Sequence, residues 1–281
     1  MDEAKHNLDR QTDRQTDTTV DILKFVFCIF IIALHTKLLK VVPTELGFFI
    51  EKVFFRTAVP YFFVASGYYL RKRFVCRNNS TESTILLSYI KRLLFPYSIF
   101  LFISLRQSWT TYMISGWSKT HIFKQLFKDA FVYPVGALWF VFALIIAVII
   151  IYPFQKKRNG LNICLFAGVC LYSFALICNN YYFIVIDTPL QSIIDSYLHF
   201  FVSARNGIFI GIVYVSLGMK CFDWNSEKSC FTNKCGLFVF LFLLILYIAE
   251  IEFLHIHNFL FNDDGSLYFT QLLFVPILFL L

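Results

Sequence analysis

The sequence predicts an all-α fold: a polytopic bundle of transmembrane helices with about eight spans, the last incomplete. Three observations predict it. The 281 residues are 58% hydrophobic and only 15% charged, against about 25% charged and about 45–50% apolar residues in a soluble domain. Aromatic residues reach 20% of the chain, with 36 Phe, more than an ordinary soluble core needs. Apolar runs approaching the ~20 residues of a spanning helix recur from end to end, and the mean hydropathy is +0.66.

Residues 1–19 are polar and contain no apolar run, which reads as a disordered cytoplasmic tail and not a signal peptide. The spans then follow as Val20–Leu39, Gly47–Leu70, Leu86–Leu105, Ala137–Phe154, Leu161–Cys178, Arg205–Cys221 and Gly236–Leu254. An eighth begins near Thr270. Its apolar residues, Leu272–Leu281, are too few to cross a ~30 Å hydrocarbon core, so the transmembrane domain 20–281 is read as C-terminally shortened.

Orientation follows from Lys and Arg. One set of connections carries Arg71, Lys72, Arg73, Arg77, Lys91, Arg92, Lys156, Lys157, Arg158, Lys220, Lys228 and Lys234, and the opposite set is poorer in them. The rich set is therefore cytoplasmic, and so is the N-terminus. The net charge of +7 does not imply nucleic acid, because the cations sit in short runs between apolar segments. The eight cysteines contain no Cys-x-x-Cys pair. Cys28, Cys164 and Cys170 lie in apolar runs, and Cys76, Cys221, Cys230 and Cys235 in basic connections. They read as reduced thiols, with no metal site.

The tail repeats Asp9-Arg10-Gln11-Thr12 as Asp13-Arg14-Gln15-Thr16. The codons GAC AGA CAG ACA spell this unit and are also the tetranucleotide GACA repeated. Such a tract can slip during replication, which predicts expression that switches on and off with tract length.

Ionisable groups within spans are costly, roughly 2.5–3.5 kcal/mol even on the lenient insertion scale, so they point to function. His35 lies in the outer part of the first span. Arg56 is read ~13 Å below the outer surface, about nine residues into the second span. Arg205 opens the sixth span, and Glu250 lies near the outer end of the seventh. Four helices thus place ionisable groups at similar depth on the outer side. The plainer reading is a buried ion-pair network that locks the bundle. Lys24 precedes His35 by eleven residues, three turns and about 20°, so both face one side, ~16 Å apart along the axis. A phosphate-rich donor at the inner end and chemistry at the outer end would need that arrangement. Lys24 as an interfacial anchor is the alternative.

Asp21 through Lys24, ending at Leu34-His35, resembles the opening of the acyltransferase 3 family of membrane O-acyltransferases, with Lys24 where many members have Arg. The stretch from Arg56 through Pro60 to Ser66-Gly67-Tyr68 is similar to that family's second-span signature. Leu138-Trp139-Phe140 and Arg205-Asn206-Gly207, running to Gly218, are similar to two further family segments, and Glu250 matches an acidic position. Lys91-Arg92 departs from the family's Arg-x-x-Arg. The resemblance implies transfer of an acetyl or other acyl group from cytoplasmic acyl-CoA to a hydroxyl of a cell-surface polysaccharide or lipid-linked glycan. The setting it implies is a bacterial inner membrane.

On that basis Lys24, Lys91, Arg92 and Ser66 are the expected donor-binding residues. His35 is the expected nucleophile or general base, Glu250 its orienting partner, and Arg56 or Arg205 the oxyanion stabiliser. A transporter, with the same charges lining a substrate path, is the main rival. It would favour inverted repeats with paired broken spans, and no convincing repeat of that kind is seen. A shortened, inactive family member is the third reading.

Overall fold

In the computed structural model, residues 2–41, 44–76, 81–134, 136–227, 234–257, 259 and 266–281 are described. Side chains are described from residue 18 onward, apart from 40–41, 226–227 and 234. Arg77, Lys228 and Cys230 lie outside the described residues, and the repeat tract lies outside the described side chains.

The fold is a polytopic helix bundle, with no strand among the described residues. Eleven α-helices are described: α1 (Asp2–His35), α2 (Thr44–Val53), α3 (Ala58–Cys76), α4 (Glu82–Ile114), α5 (Lys119–Phe127), α6 (Leu138–Gln155), α7 (Gly160–Ile177), α8 (Pro189–Phe201), α9 (Ile212–Glu227), α10 (Lys234–Ile256) and α11 (Gln271–Leu280). Six stretches are long and apolar enough to cross a membrane: Thr18–His35, Glu82–Ile114, Leu138–Gln155, Gly160–Ile177, Gly207–Asn225 and Cys235–Ile256. They match six of the eight expected spans. Phe95, Phe102, Phe166, Phe238 and Ile245 point outward from them, which suits a hydrocarbon surround and would be a liability in water. The chain is a multi-pass membrane protein.

The second expected span is different. Gly47–Leu70 is not one helix. It is split into α2, a 3₁₀ turn over Phe55–Thr57, and α3. α3 carries Arg71, Lys72 and Arg73 within its last turns, so the basic run read as a connection is helical. The eighth stretch, α11, is a short apolar helix with Pro276 inside it. The tail also differs. α1 continues back to Asp2, so the boundary at residue 19 falls within a helix. A spanning helix supplies the costly nucleus, and Ala, Lys, Leu, Arg and Gln extend it at little propensity cost.

The centre of the bundle is α9, which packs most extensively on α3 and also on α7. Small residues permit this closeness. A Cβ on Gly67 of α3 would lie 2.2 Å from the Val215 carbonyl oxygen of α9, and one on Gly218 of α9 would lie 2.0 Å from that of Val64. Gly168 of α7 meets Val213 in the same way, with a Cβ-to-Cα approach of 2.9 Å. Lipid tails offer no hydrophobic drive between helices, so such close backbone packing is what holds them together.

One end of the bundle is clamped by charge. Arg71 donates from Nε to Asp223 (2.9 Å) and from Nη1 to Gln155 (2.8 Å). Gln155 donates to Glu82 (2.7 Å), which pairs with Lys156 (3.2 Å). This network joins α3, α9, α6 and α4 at the end that carries the basic residues. His35, Arg56, Arg205 and Glu250 all lie toward the other end.

Candidate active site

At the end away from the basic residues, four candidate side chains fall into separate settings. His35 is the last residue of α1, just before a turn that puts Lys37 at φ 53°. It is exposed, and its ring makes no hydrogen bond or ion pair among the described residues. It is therefore a terminal group at the rim of the bundle, where the sequence places it at lipid depth. The cause is local: α1 ends there, so no further turn covers the imidazole.

Arg56 sits in the 3₁₀ turn before α3. The break in the second span puts it at a helix start and not two turns inside a helix. Its Nη2 donates to Glu51 (3.1 Å), and Lys52 also donates to Glu51 (3.2 Å). Both cations are nearly buried, with side chains 10% and 8% exposed, so the carboxylate is what makes their burial tolerable. The Arg56 carbonyl accepts from Gln271 (3.1 Å), and Gln271 also donates to Tyr247 (3.2 Å).

Glu250 is half-buried and surrounded by donors. It accepts from the backbone N–H of Phe269 (2.6 Å) and Thr270 (2.8 Å), from the Tyr181 hydroxyl (2.5 Å) and from the Thr270 hydroxyl. These donors lie on the two residues just before α11, so the carboxylate sits beside the positive end of that helix, where negative charge is favoured. Burial and then the Glu250 charge push the Tyr181 hydroxyl well above the ordinary phenol range, so it stays a donor. Glu250 thus holds α11 to α10 and to the α7–α8 connection. No hydrogen bond joins it to His35, so the expected orienting role toward the imidazole is not seen.

Arg205 lies in the connection between α8 and α9. Its Nη2 donates to the Tyr133 hydroxyl (2.8 Å), its N–H to Ser203 Oγ (3.1 Å), and its guanidinium lies 5.8 Å from the Tyr133 and Trp139 rings. Val202 turns the chain here with φ 68°, a conformation that costs a β-branched residue of order 1–3 kcal/mol. Asn206 then caps the following π-helical turn, accepting from the N–H groups of Ile208 and Phe209. These local constraints fix the Arg205 side chain beside a cavity of about 490 Å³.

At the basic end, a cavity of about 280 Å³ brings Lys24 of α1 together with Ser66, Tyr69 and Arg73 of α3 and Tyr89 of α4. Lys24 pairs with Asp21 (3.1 Å) and lies 4.3 Å over the Tyr69 ring. Two of the four expected donor-binding residues, Lys24 and Ser66, meet here. The other two, Lys91 and Arg92, are exposed on α4 and do not line the cavity. Arg73 does, and sequence reading took it only as an orientation charge. The signal available for it was heptad spacing, since Ser66 and Arg73 are two turns apart on one face of α3. A cavity with two cations and hydroxyl donors is chemically suited to a phosphorylated ligand.

A family model described as an acyltransferase domain, that of acyltransferase 3, matches residues 17–281. An amino-acid racemase of Enterococcus faecalis is 26% identical over 215 residues, 74% of this chain and 28% of that protein. A serine/alanine racemase of Enterococcus gallinarum is 26% identical over 267 residues, 92% of this chain and 35% of that protein. The chain thus spans roughly a third of the length of these curated relatives. No solved structure matches it.

Proposed function

The chain belongs to the acyltransferase 3 family, and from that premise we propose that it moves an acetyl or other acyl group from cytoplasmic acyl-CoA to a hydroxyl of a cell-surface polysaccharide or lipid-linked glycan. The observation that carries this reading is the cavity of Lys24, Ser66, Tyr69, Arg73 and Tyr89. It lies at the end where the Lys/Arg asymmetry places the cytoplasm, in a bacterial inner membrane with the N-terminus inside. Lys24 and Arg73 bind the phosphates of the donor, and Lys91 and Arg92 serve as flanking surface cations. The relatives' racemase names attach to proteins about three times as long.

In this reading His35 serves the chemistry, ~16 Å along α1 from Lys24. As general base, its imidazole takes the proton of the sugar hydroxyl while that oxygen attacks the thioester carbonyl. The carbon–sulfur bond then breaks, and the thiolate leaves with the electron pair and takes up the proton. In the covalent variant the imidazole first accepts the acyl group and passes it to the sugar. Exposure at the rim of the bundle leaves the ring open to an acceptor from outside. Arg56, held by Glu51, is the nearer of the two arginines to α1, since Phe55 beside it packs on Phe30 with ring centroids 5.1 Å apart. That makes it the better candidate for the developing oxyanion.

The experiment is His35→Ala, compared with wild type at equal protein in membranes supplied with radiolabelled acetyl-CoA and surface glycan. The expected fall in transfer is about 10²–10⁴-fold, the worth of general-base catalysis, with insertion unchanged. Near-normal transfer would sink this mechanism and move the transporter reading ahead.

A further inference from the structure

The connection between α4 and α6 carries an apolar face that the bundle does not cover. Gly116, at φ 75°, turns the chain after α4, and α5 then runs back along α4. Trp109 of α4 meets Phe123 with ring centroids 5.5 Å apart. Tyr112 donates to Asp129 (2.9 Å), and Tyr97 donates to the Ala130 carbonyl (3.2 Å). α4 leaves the basic end at Glu82, and Tyr97 lies inside the stretch that reads as its span. α5 therefore descends from beyond that span, and the π-helical turn Lys128–Val132 that follows it reaches the edge of the hydrocarbon.

Ile122, Asp129 and Ala130 are buried, whereas Phe123, Phe127 and Phe131, spaced by four, are 64%, 60% and 59% exposed. Lys119 precedes Phe123 by the same step. One helical line thus reads, from its outermost point inward, a cation and then aromatic rings. Lys124 and Lys128 follow Phe123 and Phe127 around the helix. Among the described residues no carboxylate pairs with these three lysines. The neighbouring Asp129 is taken by Tyr112 and by Gln125 (2.9 Å).

Exposed rings in a row are a liability in water, and their surroundings say what covers them. Phe95, Phe102 and Trp109 are seven residues apart, two turns each, on one face of α4. Phe95 and Phe102 are exposed, so the hydrocarbon-facing line of α4 runs up into the Trp109–Phe123 contact and continues onto the stripe. Above it lie Trp109, Tyr112 and Trp117, with Trp117 stacked on Tyr112 (4.7 Å) and on His121 (4.5 Å). Trp and Tyr are the residues of the membrane–water interface. A cation above aromatic rings, in that order along the membrane normal, matches headgroup phosphates above acyl chains.

We propose that α5 and the turn after it form an interfacial anchor in the leaflet opposite the basic end, with Phe123, Phe127 and Phe131 among the acyl chains and Lys119, Lys124 and Lys128 on the headgroups of anionic lipid. The inference stands on the membrane architecture and not on the acyltransferase reading. The anchor runs directly into Tyr133, which lines the cavity of Arg205.

The test uses the full chain in nanodiscs of phosphatidylcholine mixed with phosphatidylglycerol. The photoreactive analogue p-benzoylphenylalanine is placed singly at Phe123, Phe127 and Phe131, with Phe102 as the lipid-facing control, and adducts are identified by mass. Lipid adducts are expected at Phe127 and Phe131, as at Phe102. Adducts to a second copy of the chain, or none at the stripe where Phe102 gives lipid, overturn the insertion. Native mass spectrometry then compares the two lipids retained on the protein. Wild type should favour phosphatidylglycerol by about fivefold for each lysine engaged. The triple variant Lys119→Gln, Lys124→Gln and Lys128→Gln should bring the ratio to about one with an unchanged size-exclusion profile. Equal retention of both lipids by wild type, or a preference that survives in the folded triple variant, overturns the headgroup assignment.

Discussion

Removing the cations of the inner cavity separates two accounts of donor binding. Sequence spacing nominates Lys24, Lys91 and Arg92, whereas the structure joins Lys24 to Arg73 and leaves Lys91 and Arg92 outside. A hydrogen bond to a charged group contributes roughly 1.5–3 kcal/mol. The Lys24 side chain is 32% exposed and already pairs with Asp21, so water and a carboxylate both screen it, and the low end applies. At about 1.4 kcal/mol per decade, Lys24→Ala should raise KM for acetyl-CoA about tenfold. Arg73→Ala should do the same, and the double variant about 100-fold if the two contacts add. Lys24→Arg keeps the cation and should be tolerated. Lys91→Ala and Arg92→Ala should change KM less than about twofold, the range of a screened surface charge. The assay is the initial rate of acetyl transfer in membranes against acetyl-CoA concentration, at equal protein and two ionic strengths. The reasoning is refuted if Arg73→Ala leaves KM unchanged, or if Lys91→Ala and Arg92→Ala raise it as much as Lys24→Ala does.

Three further outcomes follow from the packing and the charge map. Glu250→Gln puts an amide where two N–H groups and two hydroxyls now donate. It should cost roughly 1.5–3 kcal/mol, seen as earlier thermal unfolding in detergent, while any residual catalytic rate per folded molecule stays near wild type. A rate defect without a stability defect would restore Glu250 to the chemistry. Gly67→Ala drives a Cβ to 2.2 Å from the backbone oxygen of Val215. Overpacking typically costs about 1–3 kcal/mol, and backbone cannot swing aside, so size-exclusion profiles should show loss of monodisperse protein. A normal profile would mean that α3 and α9 can separate freely. Finally, a cysteine at Ser118, the cap of α5, should react with an impermeant thiol reagent in intact cells. Labelling at Thr81→Cys, which lies at the basic end before α4, would overturn the orientation.

The sequence by itself determined the class, the place of six of the expected spans, and which residues carry unusual charge. These are local properties. Run length sets whether a helix can cross hydrocarbon, and a single charged residue stands out against Phe and Leu wherever the helix turns. The acyltransferase family was legible for the same reason, because Lys24, His35 and the stretch from Arg56 to Ser66-Gly67 keep their spacing along the chain.

Tertiary structure alone decided which charges meet. α6 and α10 are apolar nearly all round, so their periodicity carries no rotation, and a helix face cannot be assigned when every face is apolar. Rotation is set instead by close contacts such as Gly67 on Val215 and Gly168 on Val213. The 3₁₀ break at Phe55–Thr57 moved Arg56 from the inside of a span to its start. Glu250 was expected beside His35, but the backbone N–H groups it faces belong to a segment nineteen and twenty residues away. Arg73 and Lys24 share a cavity only because α1 lies along α3. Asp195 and His199 lie outside every span read from the sequence, and they meet Arg205 at one cavity only through the placement of α8. Convergence of side chains from separate helices depends on how the bundle packs, and a linear pattern of residues does not contain it.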